Sequence, residues 1–324
     1  MIKVGIIGYG NLGRGAALAV NNAEDMECVG IFTRRNASEL NSETGDKIYS
    51  VTELPNFKGK IDVLLLCGGS STYLPATTAN YLKDFNTVDS FDTHAKIPEY
   101  FDKLDKIGKE NGTLGAISIG WDPGIFSLAR EIFGAVLPDG KDYTFWGKGV
   151  SQGHSNAIRR IKGVKNAIQY TVPVESSLQA VRNGENPELS VREKHTRECF
   201  VVAEEGADKE RIEREIKSMP DYFAEYDVTV HFISEEELKR DHSKLLHGGM
   251  VFRSGITGKG TKHVAELSLT LGSNPEFTGS VLAAYGRAMV KLYKEGKRGA
   301  ITVFDVPPKY LSPLDEADLR KRLL

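Results

Sequence analysis

The spacing of apolar and polar positions changes several times along the chain, and each change marks an element. Val4-Gly5-Ile6-Ile7 is a short apolar run that passes straight into Gly8-Tyr9-Gly10-Asn11-Leu12-Gly13 and then an alanine-rich segment. That order predicts a strand, a tight glycine turn and a helix beginning near Asn11. A second strand is predicted over Glu27 to Phe32, followed by a polar stretch from Asn36 to Thr44 and a short strand at Ile48-Tyr49-Ser50. The run Asp62 to Cys67 is apolar on both faces, the pattern of a central strand in a parallel sheet covered by helices on both sides. A helix around Thr78 to Lys83 and a strand at Asn86-Thr87-Val88-Asp89 come next. A helix from about Pro98 to Lys109 then ends on the C-cap signal Asn111-Gly112, and Thr113 to Ser118 reads as another strand. Between Gly124 and Val136 the residues Ile125, Phe126, Leu128, Ile132, Phe133 and Val136 fall at helical spacing, closed by Pro138.

Beyond Pro138 the texture differs. Strand-like runs at Tyr143–Trp146, Ala167–Val172, Cys199–Val202, Val228–Ile233, Met250–Phe252 and Val264–Leu271 dominate, with one clear helix from about Asp208 to Met219. Several of these runs alternate polar with apolar residues, as a sheet buried on one face does. A last long helix, about Pro275 to Lys294, carries Phe277, Val281, Leu282, Tyr285, Met289 and Leu292 on one broad face. It is expected to return to the first domain, and the charged tail after Pro313 to form a solvated helix. The fold class is therefore α/β: a Rossmann-type doubly wound parallel sheet plus a second, α+β domain with a mixed or antiparallel sheet. The expected domains are 1–120 completed by about 275–324, and 121–274.

Composition narrows the function. The 324 residues include 42 Lys plus Arg against 44 Asp plus Glu, a net charge of -2, so no basic field recruits nucleic acid or an acidic membrane surface. The cysteines Cys28, Cys67 and Cys199 are odd in number and widely spaced, which fits reduced core thiols better than disulfides or a metal site. No apolar run approaches the roughly 20 residues that a membrane span requires, and the N-terminus enters a core strand at once. A cytoplasmic small-molecule enzyme is the expectation, with no metal.

The glycine turn supplies the chemistry. Gly8 takes the sharp bend, Gly10 leaves the backbone open to a pyrophosphate, and Gly13 permits close helix packing, while the helix N-terminus attracts the anion. Such a turn also occurs simply as a turn, so the residues at the end of the second strand decide its meaning. About twenty residues beyond the glycines, where an NAD site carries Asp or Glu, this chain has Thr33-Arg34-Arg35. A hydroxyl and two guanidinium groups suit a 2′-phosphate, and NADP is the expected cofactor. Gly68-Gly69-Ser70-Ser71-Thr72 comes after a central strand and is expected to pass over the nicotinamide side. Ser90-Phe91-Asp92 and Gly120-Trp121-Asp122-Pro123-Gly124 each come after a strand, so Asp92 and Asp122 reach one edge of the sheet. Carboxylates there also act as helix caps. Polar loops rich in ligand-binding types, Gly149 to Asn156, Thr171, Arg197, His247-Gly248-Gly249 and Asn274, lie in the second part of the chain.

Gly8 to Arg14, Gly120 to Gly124, Thr144-Phe145-Trp146-Gly147, Ser151-Gln152-Gly153-His154-Ser155, Met219-Pro220-Asp221-Tyr222-Phe223 and His247-Gly248-Gly249 together resemble the NADP-dependent meso-diaminopimelate dehydrogenases over nearly the whole chain. The resemblance implies reversible oxidative deamination of meso-2,6-diaminopimelate at its D-centre, giving L-2-amino-6-oxopimelate, ammonia and NADPH in lysine biosynthesis, and a homodimer. It places cofactor contacts at Tyr9, Gly10, Asn11, Leu12, Thr33, Arg34, Arg35, Cys67, Gly68, Gly69, Ser70, Ser90, Phe91, Asp92, Ile119, Gly120, Trp121, Asp122 and Pro123. It places substrate contacts at Asp92, Asp122, Trp146, Gln152, Thr171, Arg197, His247 and Asn274. The loop from Asn36 to Asp46 has no matched counterpart.

A substrate with two ammonium and two carboxylate groups needs a site of mixed charge. Basic Arg197 and His247 are expected to hold the remote carboxylate, and Asp122, partnered by Asp92, to hold the reacting amine and accept its proton. Rival readings are an NADPH reductase of similar build, such as a dihydrodipicolinate-type reductase or a semialdehyde dehydrogenase, and a non-catalytic NADP(H) sensor. The semialdehyde enzyme needs a loop cysteine paired with a histidine, and the sensor needs no mixed-charge pocket.

Overall fold

A computed structural model describes residues 1–70 and 72–324; Ser71, in the polar run after the fourth strand, lies outside the described residues. The chain forms two compact units, Met1–Leu128 with Pro275–Leu324, and Ala129–Asn274.

The first unit begins β1 (Ile2–Ile7), α1 (Asn11–Asn21), β2 (Met26–Thr33), β3 (Ile48–Ser50), β4 (Val63–Leu66) and α2 (Tyr73–Leu82). It continues with β5 (Thr87–Asp89), α3 (Ile97–Asn111), β6 (Leu114–Ala116) and the helix α4 (Ile125–Val136), within which the chain passes to the second unit. The second unit holds β7 (Gly140–Trp146), β8 (Gly149–Val150), α5 (Gln152–Arg159), β9 (Val164–Pro173), α6 (Glu175–Arg182), α7 (Val191–Lys194) and β10 (His195–Ala203). Next come α8 (Lys209–Lys217), β11 (Asp227–Phe232), α9 (Glu235–Asp241), β12 (His247–Thr257) and β13 (Thr261–Leu271). The first unit is completed by α10 (Asn274–Lys294), β14 (Gly299–Ile301) and α11 (Glu316–Leu323).

Among the described residues, seven strands of the first unit make one parallel sheet in the order β14-β6-β5-β4-β1-β2-β3. Six of them take the doubly wound order, with the reversal at β1/β4. The strand β4 is central and buried on both faces, as its unbroken apolar run requires. Val63 and Leu65 join the core under α1 and α10, and Leu64 and Leu66 join the core under α2 and α3. Each such side chain stabilises the sheet by about 1.5–3 kcal/mol relative to exposure. The helix α3 stops where Gly112 takes a left-handed φ of 69°.

The second unit contains two sheets. One is mixed, β11-β10-β9-β8, with only β10 and β11 parallel; the other, β13-β12-β7, is antiparallel. Alternation along β10 sends Cys199 and Val201 into a core with Ile158 of α5 and Ile212 and Ile216 of α8. Phe145 and Phe252 pack against Leu178 and Val181 of α6.

Several expectations change; Thr171, Arg197 and His247 to Gly249, read as polar loops, lie in β9, β10 and β12. The segment Gly149 to Asn156, read as a polar loop, contains β8 and the start of α5, whose N-terminus is capped by the Ser151 hydroxyl accepting from the His154 N–H. The helix expected around Thr78 starts at Tyr73, because the Gly69 carbonyl accepts from the Tyr73 and Leu74 N–H groups. The edge strand β14, not read from the sequence, forms by pairing with β6.

Candidate active site

The glycine turn joins β1 to α1. Gly8 has φ 95° and Gly13 lies so close that a Cβ there would stand 2.0 Å from the Gly8 carbonyl oxygen, so each must be glycine. At Gly10, the N-cap of α1, a Cβ would meet nothing within 4 Å, and no side chain caps the helix. The first N–H groups of α1 therefore face open space, the condition for receiving a phosphate. A cleft of about 470 Å³ opens there, lined by Gly8 to Gly10, Thr33 to Arg35, Cys67 to Gly69 and Tyr73.

The Arg34 guanidinium lies over the Tyr73 ring at 4.4 Å. Arg35 donates from its side chain to the Tyr9 carbonyl and from its backbone to the Thr33 hydroxyl at 3.1 Å, tying the end of β2 to the glycine turn. Two guanidinium groups, with no carboxylate in Thr33 to Arg35, fit the 2′-phosphate of NADP. The unmatched loop closes on the same side: the Glu43 N–H donates to the Tyr9 hydroxyl at 2.9 Å, and Glu43 pairs with Arg14. Cys67 is buried, and burial pushes its thiol up to about 12, so it lines the cleft as a neutral group.

At the ends of β5 and β6 the structure brings Asp92 and Asp122 to one edge of the sheet, because these strands are neighbours. Ser70 joins them: its hydroxyl donates to Asp92 Oδ1 at 2.5 Å and accepts from the Asp92 N–H at 2.9 Å. Asp122 sits in a tight turn whose flanks, Trp121 and Gly124, pair with each other. A Cβ on Gly124, at φ 135°, would stand 1.8 Å from the Gly120 oxygen. The Trp121 ring is fixed edge-on to Phe126 with centroids 5.3 Å apart.

One carboxylate here had no sequence-based role. Asp89, the last residue of β5, is fully buried and accepts from the N–H groups of Phe91 and Ser118 and from the Tyr100 hydroxyl. Burial raises its pKa to about 6 against the pull of those donors. Its one sequence signal is a charge at the end of the short strand-like run Asn86 to Asp89.

In the second unit, register gathers the remaining candidates. Thr171 of β9 stands opposite Arg197 of β10 and also pairs with Gly149 of β8. Arg197 is buried, donates from Nη1 to the Thr171 hydroxyl at 2.5 Å, and stacks over the Tyr226 ring at 3.8 Å. Its Nε is buried without a partner. Burial lowers its pKa, yet a guanidinium remains charged, so the cation calls for an anionic ligand. Gln169, two residues before Thr171 and so on the same face, also buries both side-chain amide atoms without partners.

His247 opens β12 and lies against Gly149, where a Cβ would come within 2.6 Å of its ring. Burial lowers its pKa, and its Nδ1 lies 2.8 Å from the Gly248 nitrogen and 3.1 Å from the Gly248 carbonyl oxygen. Trp146 ends β7 beside Gly249; its N–H donates to His195 Nε2 at 2.8 Å, and its half-exposed ring stacks on His195. The Asn274 N–H donates to the Leu245 carbonyl at 3.0 Å, near His247 in the chain. Gln152, exposed, is the first residue of α5. His154, quoted in the sequence motif without a role, is driven to a pKa of about 4 by burial and by the charge of Arg197.

A doubly wound sheet with an open glycine turn and paired arginines after β2 is the frame of an NADP-dependent dehydrogenase. Comparison with known proteins narrows the class. Residues 120–273 match the family model described as the diaminopimelic acid dehydrogenase C-terminal domain. The meso-diaminopimelate D-dehydrogenase of Acetivibrio thermocellus is 59% identical over 326 residues, covering 100% of this chain and 98% of its own. A solved structure of a sixfold mutant of the Clostridium tetani enzyme with DAP has 52% identity, complete coverage of both chains and a TM-score of 0.95. An engineered D-amino acid dehydrogenase bound to NADP+ has 41% identity, covers 100% of this chain and 99% of its own, and has a TM-score of 0.87. The chain belongs to the meso-diaminopimelate D-dehydrogenase family.

Proposed function

We propose that the protein carries its family's activity: meso-2,6-diaminopimelate, water and NADP+ give L-2-amino-6-oxopimelate, ammonium, NADPH and one proton, reversibly, in lysine biosynthesis. The observation that carries this reading is the 59% identity over the whole chain to a meso-diaminopimelate D-dehydrogenase. The buried, incompletely partnered Arg197 supports it, because a substrate carboxylate is the anion it lacks.

The glycine turn and the N-terminus of α1 take the pyrophosphate, and Thr33, Arg34 and Arg35 take the 2′-phosphate. Bound NADP+ supplies the hydride acceptor. Asp122 holds the ammonium of the D-centre by a charge-assisted hydrogen bond and removes its proton, directly or through one water, which frees the nitrogen lone pair as the C–H bond breaks. Asp92, oriented by Ser70, shares that ammonium. Arg197 binds the remote carboxylate through its guanidinium edge, with Thr171, the His247 ring and Asn274 beside it. Trp146 and Gln152 orient the group being oxidised. A homodimer in the cytoplasm belongs to the same reading; sedimentation should give twice the chain mass of 35.6 kDa, and a monomer would remove that part.

The test is NADPH absorbance on adding diaminopimelate isomers to protein and NADP+. NADPH should form with the meso isomer and not with the L,L isomer. Equal rates with both, or none with either, would overturn the assignment.

A further inference from the structure

Asp89 stands outside the substrate and cofactor contacts, yet it is bonded to both loops that carry the amine-side carboxylates. Its Oδ1 accepts from the Phe91 N–H at 3.0 Å, one residue before Asp92, and from the Ser118 N–H at 3.2 Å. Its own backbone carbonyl accepts from the Ile119 N–H at 2.8 Å, on the approach to Asp122. Oδ2 accepts from the Tyr100 hydroxyl at 2.7 Å, anchoring the carboxylate to α3. Ser118 is held with φ at 56°, in the left-handed region that a serine adopts only under constraint, and its hydroxyl is buried without a partner.

The sheet does not need a carboxylate here. The surroundings are apolar, with Phe91, Tyr100 and Ile117 all buried, and an ionised group in such a place costs stability. What the carboxylate provides is a single oxygen that two N–H groups from different loops must share. That arrangement sets the distance between the loops more tightly than either strand end could.

We propose that Asp89 is a positioning residue for the deamination, a buried clamp that fixes the Asp92 loop and the Asp122 loop in register with each other. The proposal rests on the assignment of Asp92 and Asp122 to the reacting amine. Asp89 acts through those residues and touches neither substrate nor cofactor.

The experiment compares wild type, Asp89→Asn and Asp89→Ala in three measurements: kcat and KM with meso-diaminopimelate, NADPH binding by fluorescence, and thermal midpoint. Asparagine keeps one oxygen for the two N–H groups but loses charge assistance, so kcat should fall about fivefold while the midpoint at pH 8 stays equal to wild type or rises. Alanine leaves both N–H groups unpaired, and kcat should fall roughly a hundredfold. Asparagine thus restores part of what alanine removes. In both variants NADPH affinity should fall far less than kcat, since the glycine turn and Thr33 to Arg35 are untouched even though Phe91 and Ile119 border the cofactor. A wild-type kcat in the asparagine variant overturns the proposal, whether or not the alanine variant folds. A kcat loss that only tracks a lowered midpoint also overturns it, because that is the signature of a structural role. An inactive wild-type protein would instead remove the functional reading, and this inference with it.

Discussion

Arg34 and Arg35 stand side by side after β2, but the structure uses them differently. Arg34 lies over the Tyr73 ring, while Arg35 ties the strand end back to the Tyr9 carbonyl. Replacing both with Ala should raise the dissociation constant for NADPH by about 100-fold and that for NADH by only a few-fold, as two charge-assisted contacts to a phosphate are lost. Equal losses in isothermal titration would mean that the pair supports the fold instead of reading the 2′-phosphate. Asp122→Asn should reduce kcat by roughly 100-fold or more with NADPH affinity nearly unchanged, since it removes the proton acceptor and leaves the glycine turn intact. Normal turnover in stopped-flow assays would release Asp122 from that role. Thr33 to Arg35, Asp92 and Asp122 stood out in the sequence because they lie at, or within six residues of, the end of a strand, and their roles belong to the proposed function. Asp89 was not, because its meaning comes from Ser118 and Tyr100, which only the pairing of β5 with β6 and the packing of α3 bring to it. The lowered pKa of His247 was equally hidden, because it comes from burial of the ring.

Helices α1 and α10 show how an element far along the chain supports the nucleotide turn. They cross at glycines: a Cβ on Gly15 would stand 2.5 Å from the Pro275 oxygen, and one on Gly279 would stand 2.4 Å from the Gly15 carbonyl carbon and the Ala16 nitrogen. The backbones touch there, and no side chain has room. Gly279→Ala should therefore destabilise the protein by about 1–3 kcal/mol, against the small gain that alanine brings to an exposed helix. A raised melting temperature would show that the crossing yields easily. The amphipathic face of α10 was readable from its spacing, as were β1, β4 and α3, because long or strongly patterned segments announce themselves. The helix α5 was not, since Gln152-Gly153-His154-Ser155 is a loop-like composition that becomes helical through the Ser151 cap and its packing on β9. The strand β14 is three residues long and begins with glycine; Gly108 and Gly299 must meet backbone to backbone for it to form.

At the scale of the whole molecule, the C-terminal segment is bound back to the beginning of the chain by an ion pair as well as by its apolar face. Arg287 of α10, almost fully buried, donates to both oxygens of Asp25 at 2.6 and 2.7 Å and to the Leu311 carbonyl at 2.8 Å. The Asp25 pKa is lowered below its ordinary 3.8, mainly by the hydrogen bond from Arg287. A depressed carboxyl contributes stability that is present above the ordinary value and is lost as pH falls through the folded value. Arg287→Met should lower the melting temperature at pH 7 and flatten its dependence on pH below about 4, where the wild type loses this contribution. An unchanged acid slope would mean that Asp25 is not a determinant of acid stability.

The proposed turnover of diaminopimelate uses both an amine attended by aspartates and a remote carboxylate held by one buried cation. The most direct test of that pairing is kcat/KM for meso-diaminopimelate in Arg197→Met, measured beside NADPH affinity. The loss of a charge-assisted hydrogen-bond pair predicts a fall of about 100-fold or more in kcat/KM, with NADPH affinity unchanged. Wild-type kcat/KM in that variant would contradict the claim.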